Sequence, residues 1–151
     1  TNPKKGFDLY KKFEKYCKET NLFEFHYIGQ LPNRVSFSGY TPPISVESLT
    51  EVLPKYDIYL TASEEEAGAN HVLEGIACGL PVVYKNSGGS IVEYCDSVGE
   101  EYADFDEMIW SLTTVRDNYS IYKRRCLQYS DTNDMVVEKY LNVIRSVYNE
   151  G

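Results

Sequence analysis

The sequence predicts an α/β fold in which an open, mainly parallel β-sheet is covered by helices on both faces. Helical and strand patterns alternate along the chain over short connections, which is typical of parallel sheets. The segment 57–62 (DIYLTA) is almost continuously apolar, as expected of a strand with two buried faces. At 151 residues, the chain has the length of one domain with its own hydrophobic core.

The helices are predicted from apolar residues that recur every three or four positions. In the first helix, residues 6–20, these residues are Phe7, Tyr10, Phe13 and Cys17. Ser45 is placed to accept the first N–H groups of a second helix, which extends to about residue 55. The remaining predicted helices cover residues 70–78, 90–95, 105–116, 119–128 and 134–148.

Strand patterns occupy the stretches between these helices. The predicted strands are 22–28 (LFEFHYI), 35–39, 57–62, 82–84 (VVY) and an edge strand at 99–102. Ligands of such sheets bind outside the carboxyl ends of the strands, where loops and helix N-termini meet. We therefore expect Lys5-Gly6, residues 64–74 and residues 86–90 to converge on one opening.

Composition and charge exclude several classes of function. The formal net charge of −8 argues against a general nucleic-acid partner or an anionic membrane surface, because either would require clustered Lys and Arg. No stretch approaches the ~20 apolar residues of a transmembrane helix, and no signal pattern opens the chain. Cysteines occur at positions 17, 78, 95 and 126, without a regular framework, and we interpret them as reduced thiols of a cytoplasmic protein.

The loop 86–90 (NSGGS) is a candidate anion site. It is a Gly-containing turn that leads directly into a helix, so free backbone N–H groups and the positive end of the helix dipole point outward. Ser90 and Glu93 also have the Ser-x-x-Glu spacing of a capping box, in which the protein satisfies its own helix end. The two roles are compatible, because Gly88 and Gly89 contribute amides upstream of the cap.

Two glutamates are candidate ligands for sugar hydroxyls. Glu66 lies in the loop after the apolar strand, and Glu74 lies about one turn into the next helix, so both can face one cavity. Carboxylates accept charge-assisted hydrogen bonds from pairs of hydroxyl groups. Glu64 and Glu65 form an acidic run with Glu66, and we interpret these two as facing solvent. His71, close to one helical turn before Glu74, is either a ligand contact or a local hydrogen-bonding group.

The stretch 66–93 carries a family resemblance (EAGANHVLEGIACGLPVVYKNSGGSIVE). It contains a Glu-x7-Glu motif before a helix, an Ala-x-Gly-x-Pro-Val sequence that leads into a strand, and a Gly-Gly turn that ends in Glu. This pattern resembles the signature region of the C-terminal domain of retaining GT-B glycosyltransferases of family 4. The segments 37–40 (FSGY) and 4–10 (KKGFDLY) also resemble family segments in the expected order. The departure is at residues 67–71, where the family often carries Gly-Phe-Gly.

The resemblance implies a Rossmann-like three-layer domain that binds a nucleoside-diphosphate sugar. The implied reaction is hexosyl transfer to an acceptor hydroxyl with retained configuration. Glu66 is then the candidate catalytic residue facing the donor sugar, Glu74 binds the ribose hydroxyls, and Lys5 neutralises phosphate charge. The resemblance also assigns the amides of Gly88 and Gly89 to the diphosphate or sugar and places Tyr40 where the nucleobase pocket begins. Ser90 and, from its position beside Glu74, His71 are counted as candidate donor-binding residues.

The resemblance also bears on domain organisation. Residues 1–151 are expected to form a single domain that is truncated before residue 1, so that its first strand and an N-terminal acceptor domain lie outside the sequence. That second domain would bind the acceptor, a glycan, lipid or protein, and the present chain alone is expected to be inactive. No Asp-x-Asp motif occurs, and we expect neither a metal nor a cofactor beyond the donor.

Two alternatives to a transferase remain open. The chain is alternatively a catalytically silent domain that senses or binds a nucleotide sugar. A flavodoxin-like signalling module is the other alternative, and it requires an acidic phosphoacceptor at a strand end and no affinity for nucleotides.

Overall fold

A computed structural model describes residues 3–129 of the chain, and it has the predicted α/β architecture. The helices are α1 (Phe7–Thr20), α2 (Val46–Val52), α3 (Asn70–Ala77), α4 (Ser90–Cys95), α5 (Phe105–Asp117) and α6 (Tyr119–Leu127). The strands are β1 (Tyr27–Ile28), β2 (Tyr40–Thr41), β3 (Tyr59–Thr61), β4 (Val82–Lys85) and β5 (Gly99–Tyr102). The predicted helix 134–148 lies outside the described residues. Within residues 3–129, no helix combines the length and apolar character needed to cross a membrane.

The described strands form two parallel sheets, one of order β1-β2 and one of order β3-β4-β5. Helices cover the larger sheet on both faces. Successive β4 side chains point to opposite sides of the sheet, so neighbouring residues of this strand contact different helices. Val82 packs against α3 and α4 on one face, whereas Val83 packs against α5 on the other. This confirms the predicted fold class, with β5 at the sheet edge as expected.

Aromatic contacts fix the direction of α1 relative to the segment 22–28. Ring centroids lie 5.8 Å apart for Phe7 and Tyr27, 5.8 Å for Tyr10 and Phe25, and 6.1 Å for Phe13 and Phe23. Residues advance along α1 as their partners move back along the segment, so the two run antiparallel. The amino end of α1 therefore lies beside the carboxyl end of β1.

The strand β3 runs antiparallel to α1 as well. Gly6, just before α1, touches Ala62, just after β3, and the backbone N–H of Ala62 donates to the Tyr10 hydroxyl over 2.8 Å. Phe13, one turn further along α1, belongs to the core cluster against which the earlier residues Ile58 and Leu60 pack. The segment 22–28 and β3 consequently point in the same direction.

A cavity of about 1260 Å³ lies between the two sheets. One wall is the segment 22–32, which includes β1, and the opposite wall is the segment 55–61, which includes β3. Among the described residues, the strand edges that face this cavity pair with no further strand. Lys5, Ser63 and His71 also belong to its lining.

The predictions of the early strands were partly wrong. Only Tyr27 and Ile28 of the predicted strand 22–28 pair as a strand, and the predicted strand 35–39 is replaced by pairing at Tyr40–Thr41. Alternation of apolar and polar residues reports which side chains are buried, whereas a strand also needs a neighbouring backbone. The capping prediction at Ser45 is confirmed, since its side chain accepts from the N–H of Ser48.

Candidate functional site

The site is built where chain segments meet at the carboxyl end of β3. The N–H of Glu64 donates to the carbonyl of Lys4 over 2.8 Å, which joins the loop after β3 to the start of the chain. The N–H of Glu65 donates to the carbonyl of Ser87 over 2.8 Å, and Glu66 forms an isolated bridge with Gly89. The convergence expected from the carboxyl-end rule is therefore present.

Three ion pairs cross these segment boundaries, each between one glutamate of the acidic run and one lysine. The pairs are Glu64 with Lys85, Glu65 with Lys4, and Glu66 with Lys5. The expectation that Glu65 faces solvent agrees with a side chain that is 68% exposed. The Glu64 side chain is 37% exposed and is also held by the partly buried Lys85 ammonium at the end of β4, a partner that the expectation did not include.

The pair of Lys5 and Glu66 is the more buried of the two lysine pairs formed by the start of the chain. The Glu66 side chain is 21% exposed and the Lys5 side chain 41%. The hydrogen bond from Lys5 lowers the pKa of Glu66, and the positive charge of Lys5 acts in the same direction. Both predicted donor-facing residues are thus together, and Glu66 is an anion at neutral pH.

The turn at Gly88 and Gly89 has a different hydrogen-bonding pattern from the predicted one. The Gly88 N–H donates to the carbonyl of Lys85 over 2.9 Å, so the turn itself uses that amide. No backbone hydrogen bond within residues 3–129 uses the N–H of Gly89. Gly89 has φ 69°, and a Cβ at this position would lie 2.5 Å from the carbonyl oxygen of Glu66.

The predicted capping box of Ser90 and Glu93 was wrong. Gly89 is the N-cap of α4 and no side chain caps this end. The Ser90 hydroxyl instead donates to the carbonyl of Glu66 over 3.0 Å, as does the Ser90 N–H over 2.9 Å. Ser90 therefore anchors the Glu66 backbone, because the loop after β3 competes successfully for its hydroxyl group.

His71 lies in the first turn of α3 and contacts the strand beneath it. Its Nδ1 atom is 3.1 Å from the Tyr59 hydroxyl, and the two rings are stacked at 6.0 Å. Burial lowers the pKa of His71, and the nearby positive charge of Lys5 lowers it further, so the imidazole is neutral at pH 7. Its Nε2 atom is buried without a hydrogen-bond partner in the described part of the chain.

The remaining predicted residues lie at different distances from this centre. Glu74 is half-buried on α3, one turn after His71, and lines the same cavity. Tyr40 belongs to β2 in the other sheet, is 39% exposed, and stacks on Tyr27 at 6.5 Å. The structure therefore brings Glu74 to the site and leaves Tyr40 on the far side of the cavity wall.

Sequence reasoning missed four residues of the site. Lys85 directly follows the strand 82–84, so the carboxyl-end rule would have found it. Lys4 and Ser63 flank predicted site residues, and a Ser63 hydrogen bond contributes to the lowered pKa of Glu66. Tyr59 carried no signal, since an aromatic residue in an apolar strand is typical of a core. Within residues 3–129, no group of three His, Cys, Asp or Glu side chains is arranged for a metal ion.

The fold and the position of the site define a Rossmann-like α/β domain whose ligand edge is the carboxyl end of the sheet. A comparison with protein families matches residues 9–108 to the family described as glycosyl transferases group 1. This match covers 100 of the 151 residues, and the chain belongs to that family. No curated protein matches the chain in a sequence comparison.

Proposed function

We propose that the chain is the donor-binding, C-terminal domain of a retaining GT-B glycosyltransferase of family 4. It binds a nucleoside-diphosphate sugar, from which a hexosyl group passes to an acceptor hydroxyl. The observation that carries this proposal is the Lys5–Glu66 pair at the carboxyl end of β3, beside the amide of Gly89, which no backbone hydrogen bond of residues 3–129 uses. A cation and a backbone N–H at one opening match a leaving diphosphate, and membership of the glycosyltransferase family supports the reading.

Binding of the donor would exchange partners at this pair. The diphosphate replaces the Glu66 carboxylate as the partner of the Lys5 ammonium. Lys5 then stabilises the negative charge that develops on the leaving group. The released Glu66 carboxylate then accepts hydrogen bonds from hydroxyl groups of the donor sugar. In the glycine turn, Gly89 supplies the available amide, while Gly88 and Ser90 maintain the turn that presents it.

The nucleoside lies at the mouth of the cavity, beyond the carboxyl end of β3, so the space between the two sheets remains for a strand. Glu74, which shares the cavity lining with Lys5, accepts hydrogen bonds from the ribose hydroxyls. Tyr40 is proposed to contact the nucleobase, which requires the base to reach the smaller sheet. Lys5 and the amide of Gly89 stabilise the charge of the leaving group. The proposal includes neither a metal ion nor a cofactor.

The sheet architecture supports a strand that lies between the two sheets and precedes α1. The segments on either side of the cavity are parallel, and each presents an edge with which no strand of residues 3–129 pairs. With one added parallel strand, the spatial order becomes 3-2-1-4-5-6, which is the usual Rossmann order. Such a strand would reach β1 through α1, as parallel crossovers do. The acceptor, a glycan, lipid or protein, would bind a further N-terminal domain that closes over the donor.

Calorimetric titration with uridine and guanosine diphosphates tests this function. We expect one of them to bind, and we expect Lys5→Ala to weaken binding about 10-fold, because a charge-assisted contact is lost. Lys11→Ala is the matched control, since Lys11 is an exposed lysine of α1 that pairs with Asp8. If neither nucleotide binds, the result contradicts the proposed function and favours a signalling module.

Catalysis is tested in the full-length protein. Glu66→Ala is expected to lower the rate of sugar transfer from the bound donor. Unchanged transfer would show that Glu66 has no catalytic role. Nucleotide-sugar binding without any transfer by the unaltered protein would identify the domain as a silent sensor.

A further inference from the structure

Tyr59 and His71 form a dyad between β3 and the first turn of α3. Gly75, one turn after His71, permits it: a Cβ on Gly75 would lie 2.7 Å from Cδ2 of the Tyr59 ring. The absence of that Cβ lets the Tyr59 ring pack directly against α3. The hydroxyl group is thereby brought to 3.1 Å from Nδ1 of His71.

The direction of this hydrogen bond follows from the burial of both groups. Burial raises the pKa of Tyr59, so its hydroxyl group keeps its proton. Within the described chain, that hydroxyl has one hydrogen-bond partner, the Nδ1 atom of His71. A buried donor without an acceptor is costly, so the Tyr59 hydroxyl donates and Nδ1 accepts.

The tautomer of His71 follows from that direction. The ring is neutral, because burial and the charge of Lys5 both lower the pKa of His71. A neutral imidazole whose Nδ1 accepts a hydrogen bond carries its proton on Nε2. His71 therefore presents an N–H donor at Nε2.

This donor has no acceptor in the described structure. Within residues 3–129, Nε2 of His71 is the one buried side-chain nitrogen or oxygen without a hydrogen-bond partner. The charged groups around it are Lys5 and Glu66, which are engaged with each other. His71, Lys5 and Glu74 all line the same cavity. A buried unpaired donor beside a candidate ligand site indicates that the ligand supplies the acceptor.

We propose that Nε2–H of His71 donates a hydrogen bond to an oxygen atom of the bound donor, and that Tyr59 is the positioning residue that holds the imidazole in this tautomer. The inference rests on the proposed nucleotide-sugar function. The acceptor atom is an oxygen of the diphosphate or of the sugar. The uncharged N–H group of His71 complements Lys5, because its hydrogen bond orients the ligand without adding a charge to the site.

The first experiment needs no nucleotide. The chain contains two histidines, so ¹H–¹⁵N spectra of the imidazoles resolve His71 from His26, which is the internal control because it pairs with the exposed Glu24. We expect His71 to be neutral at pH 7 with its proton on Nε2, and Tyr59→Phe to convert it to a mixture of tautomers. A proton on Nδ1, or a charged ring at pH 7, would overturn the positioning role of Tyr59.

The second experiment adds the ligand. For the nucleotide that binds, we expect His71→Ala to weaken binding about 3- to 10-fold, the loss of one hydrogen bond. His71→Gln keeps an N–H donor and should recover part of the lost affinity. It also serves as a second variant if the alanine variant is unstable. Lys11→Ala, which changes an exposed lysine of α1, is the control and should bind normally. The double variant with Tyr59→Phe and His71→Ala should bind the nucleotide almost as well as His71→Ala alone, because both changes remove the same contact.

Two ligands distinguish the acceptor. A shift of the Nε2 resonance with the nucleoside diphosphate alone identifies a phosphate oxygen, and a shift that requires the nucleotide sugar identifies a sugar oxygen. Normal binding by His71→Ala would overturn the proposed contact while leaving the proposed function intact. If no nucleotide binds the unaltered chain, the function and the ligand contact of His71 fail together, whereas the tautomer is judged by the first experiment.

Discussion

The ammonium group of Lys5 is paired with the carboxylate of Glu66, although the two residues are 61 positions apart in the sequence. Each was predicted to face the donor from its own segment. Their pairing means that, without a ligand, the site supplies its own counterion. A diphosphate must therefore displace a carboxylate before it can reach Lys5, and this competition makes the affinity of the site adjustable.

Glu66→Gln should strengthen the binding of the nucleoside diphosphate about 3- to 10-fold. The substitution keeps the size of the side chain and removes the negative charge that competes for Lys5. The gain should shrink at high salt, because the competing attraction is electrostatic. For the nucleotide sugar the gain should be smaller, since Glu66 is then also proposed to bind the sugar.

Glu65→Gln is the matched control for that experiment. Glu65 pairs with the neighbouring Lys4, but its side chain is 68% exposed and its partner is not a predicted ligand residue. Its effect on affinity should be less than about twofold, as expected for an exposed pair. Calorimetry on both variants at low and high salt makes the comparison. Equal affinities for Glu66→Gln and the unaltered chain would refute the competition.

The same ion pair predicts a pH dependence of stability. Lys5 lowers the pKa of Glu66 below its ordinary value of 4.5, so the folded state binds this proton more weakly than the unfolded state does. The resulting stabilisation is present above pH 4.5 and is lost as the pH falls through the lowered pKa of the folded state. We expect Glu66→Gln to reduce the free energy of unfolding by less than about 1 kcal/mol at pH 7.

Urea denaturation at pH 7 and near pH 3 measures this contribution. The difference between the unaltered chain and Glu66→Gln should shrink at the lower pH, because protonation of Glu66 removes the charge that pairs with Lys5. A difference that persists unchanged at both values would assign the effect to packing and not to charge.

The helices and the location of the site could be predicted from the sequence. Apolar periodicity predicted residues 105–116 as a helix, and α5 is Phe105–Asp117. The carboxyl-end rule predicted the convergence of residues 64–74 and 86–90, because it depends only on strand order and direction. Predictions of this kind succeed where a local pattern and a general topological rule are sufficient.

Partner choice could not be predicted in the same way. The spacing of Ser90 and Glu93 would allow the Ser90 hydroxyl to cap α4, but this hydroxyl donates to the carbonyl of Glu66. The sequence does not show whether Lys85 faces solvent or pairs with a glutamate. It pairs with Glu64 because the end of β4 lies close to the loop after β3. Such choices depend on distances between segments, which spacing along a chain does not encode.

Gly6→Ala should destabilise the fold and weaken nucleotide binding together. Gly6 has φ 66°, and an added Cβ would lie 2.4 Å from Cβ of Ala62, so α1 would be displaced from the end of β3. Left-handed backbone and the steric clash together should cost about 2 kcal/mol or more. Because Lys5 is the adjacent residue, its alignment with Glu66 should be lost as well.

Gly68→Ala separates this effect from glycine replacement in general. A Cβ at Gly68 would have no atom within 4 Å, although Gly68 lies in the loop that carries Glu66. Its free energy of unfolding should change by less than about 0.5 kcal/mol. Urea denaturation and calorimetry on both variants make the test. A stable Gly6→Ala variant with normal affinity would contradict the close packing of α1 on β3.

The cavity between the two sheets predicts that the fold gains stability from one additional strand. A designed segment of alternating Val and Ile residues, fused ahead of Thr1, should enter between the segments 22–32 and 55–61 and pair with the two edges that no strand of residues 3–129 occupies. Burying several apolar side chains there should raise the midpoint of thermal unfolding by about 4 °C or more. A Gly/Ser segment of equal length is the control, because it has the same chain length without the apolar side chains.

Hydrogen exchange locates the effect: the amides of residues 58–61 should be protected by the Val/Ile fusion and not by the Gly/Ser fusion. Equal exchange in the two fusions would mean that the cavity does not accept a strand, and the proposed six-stranded order would have to be abandoned.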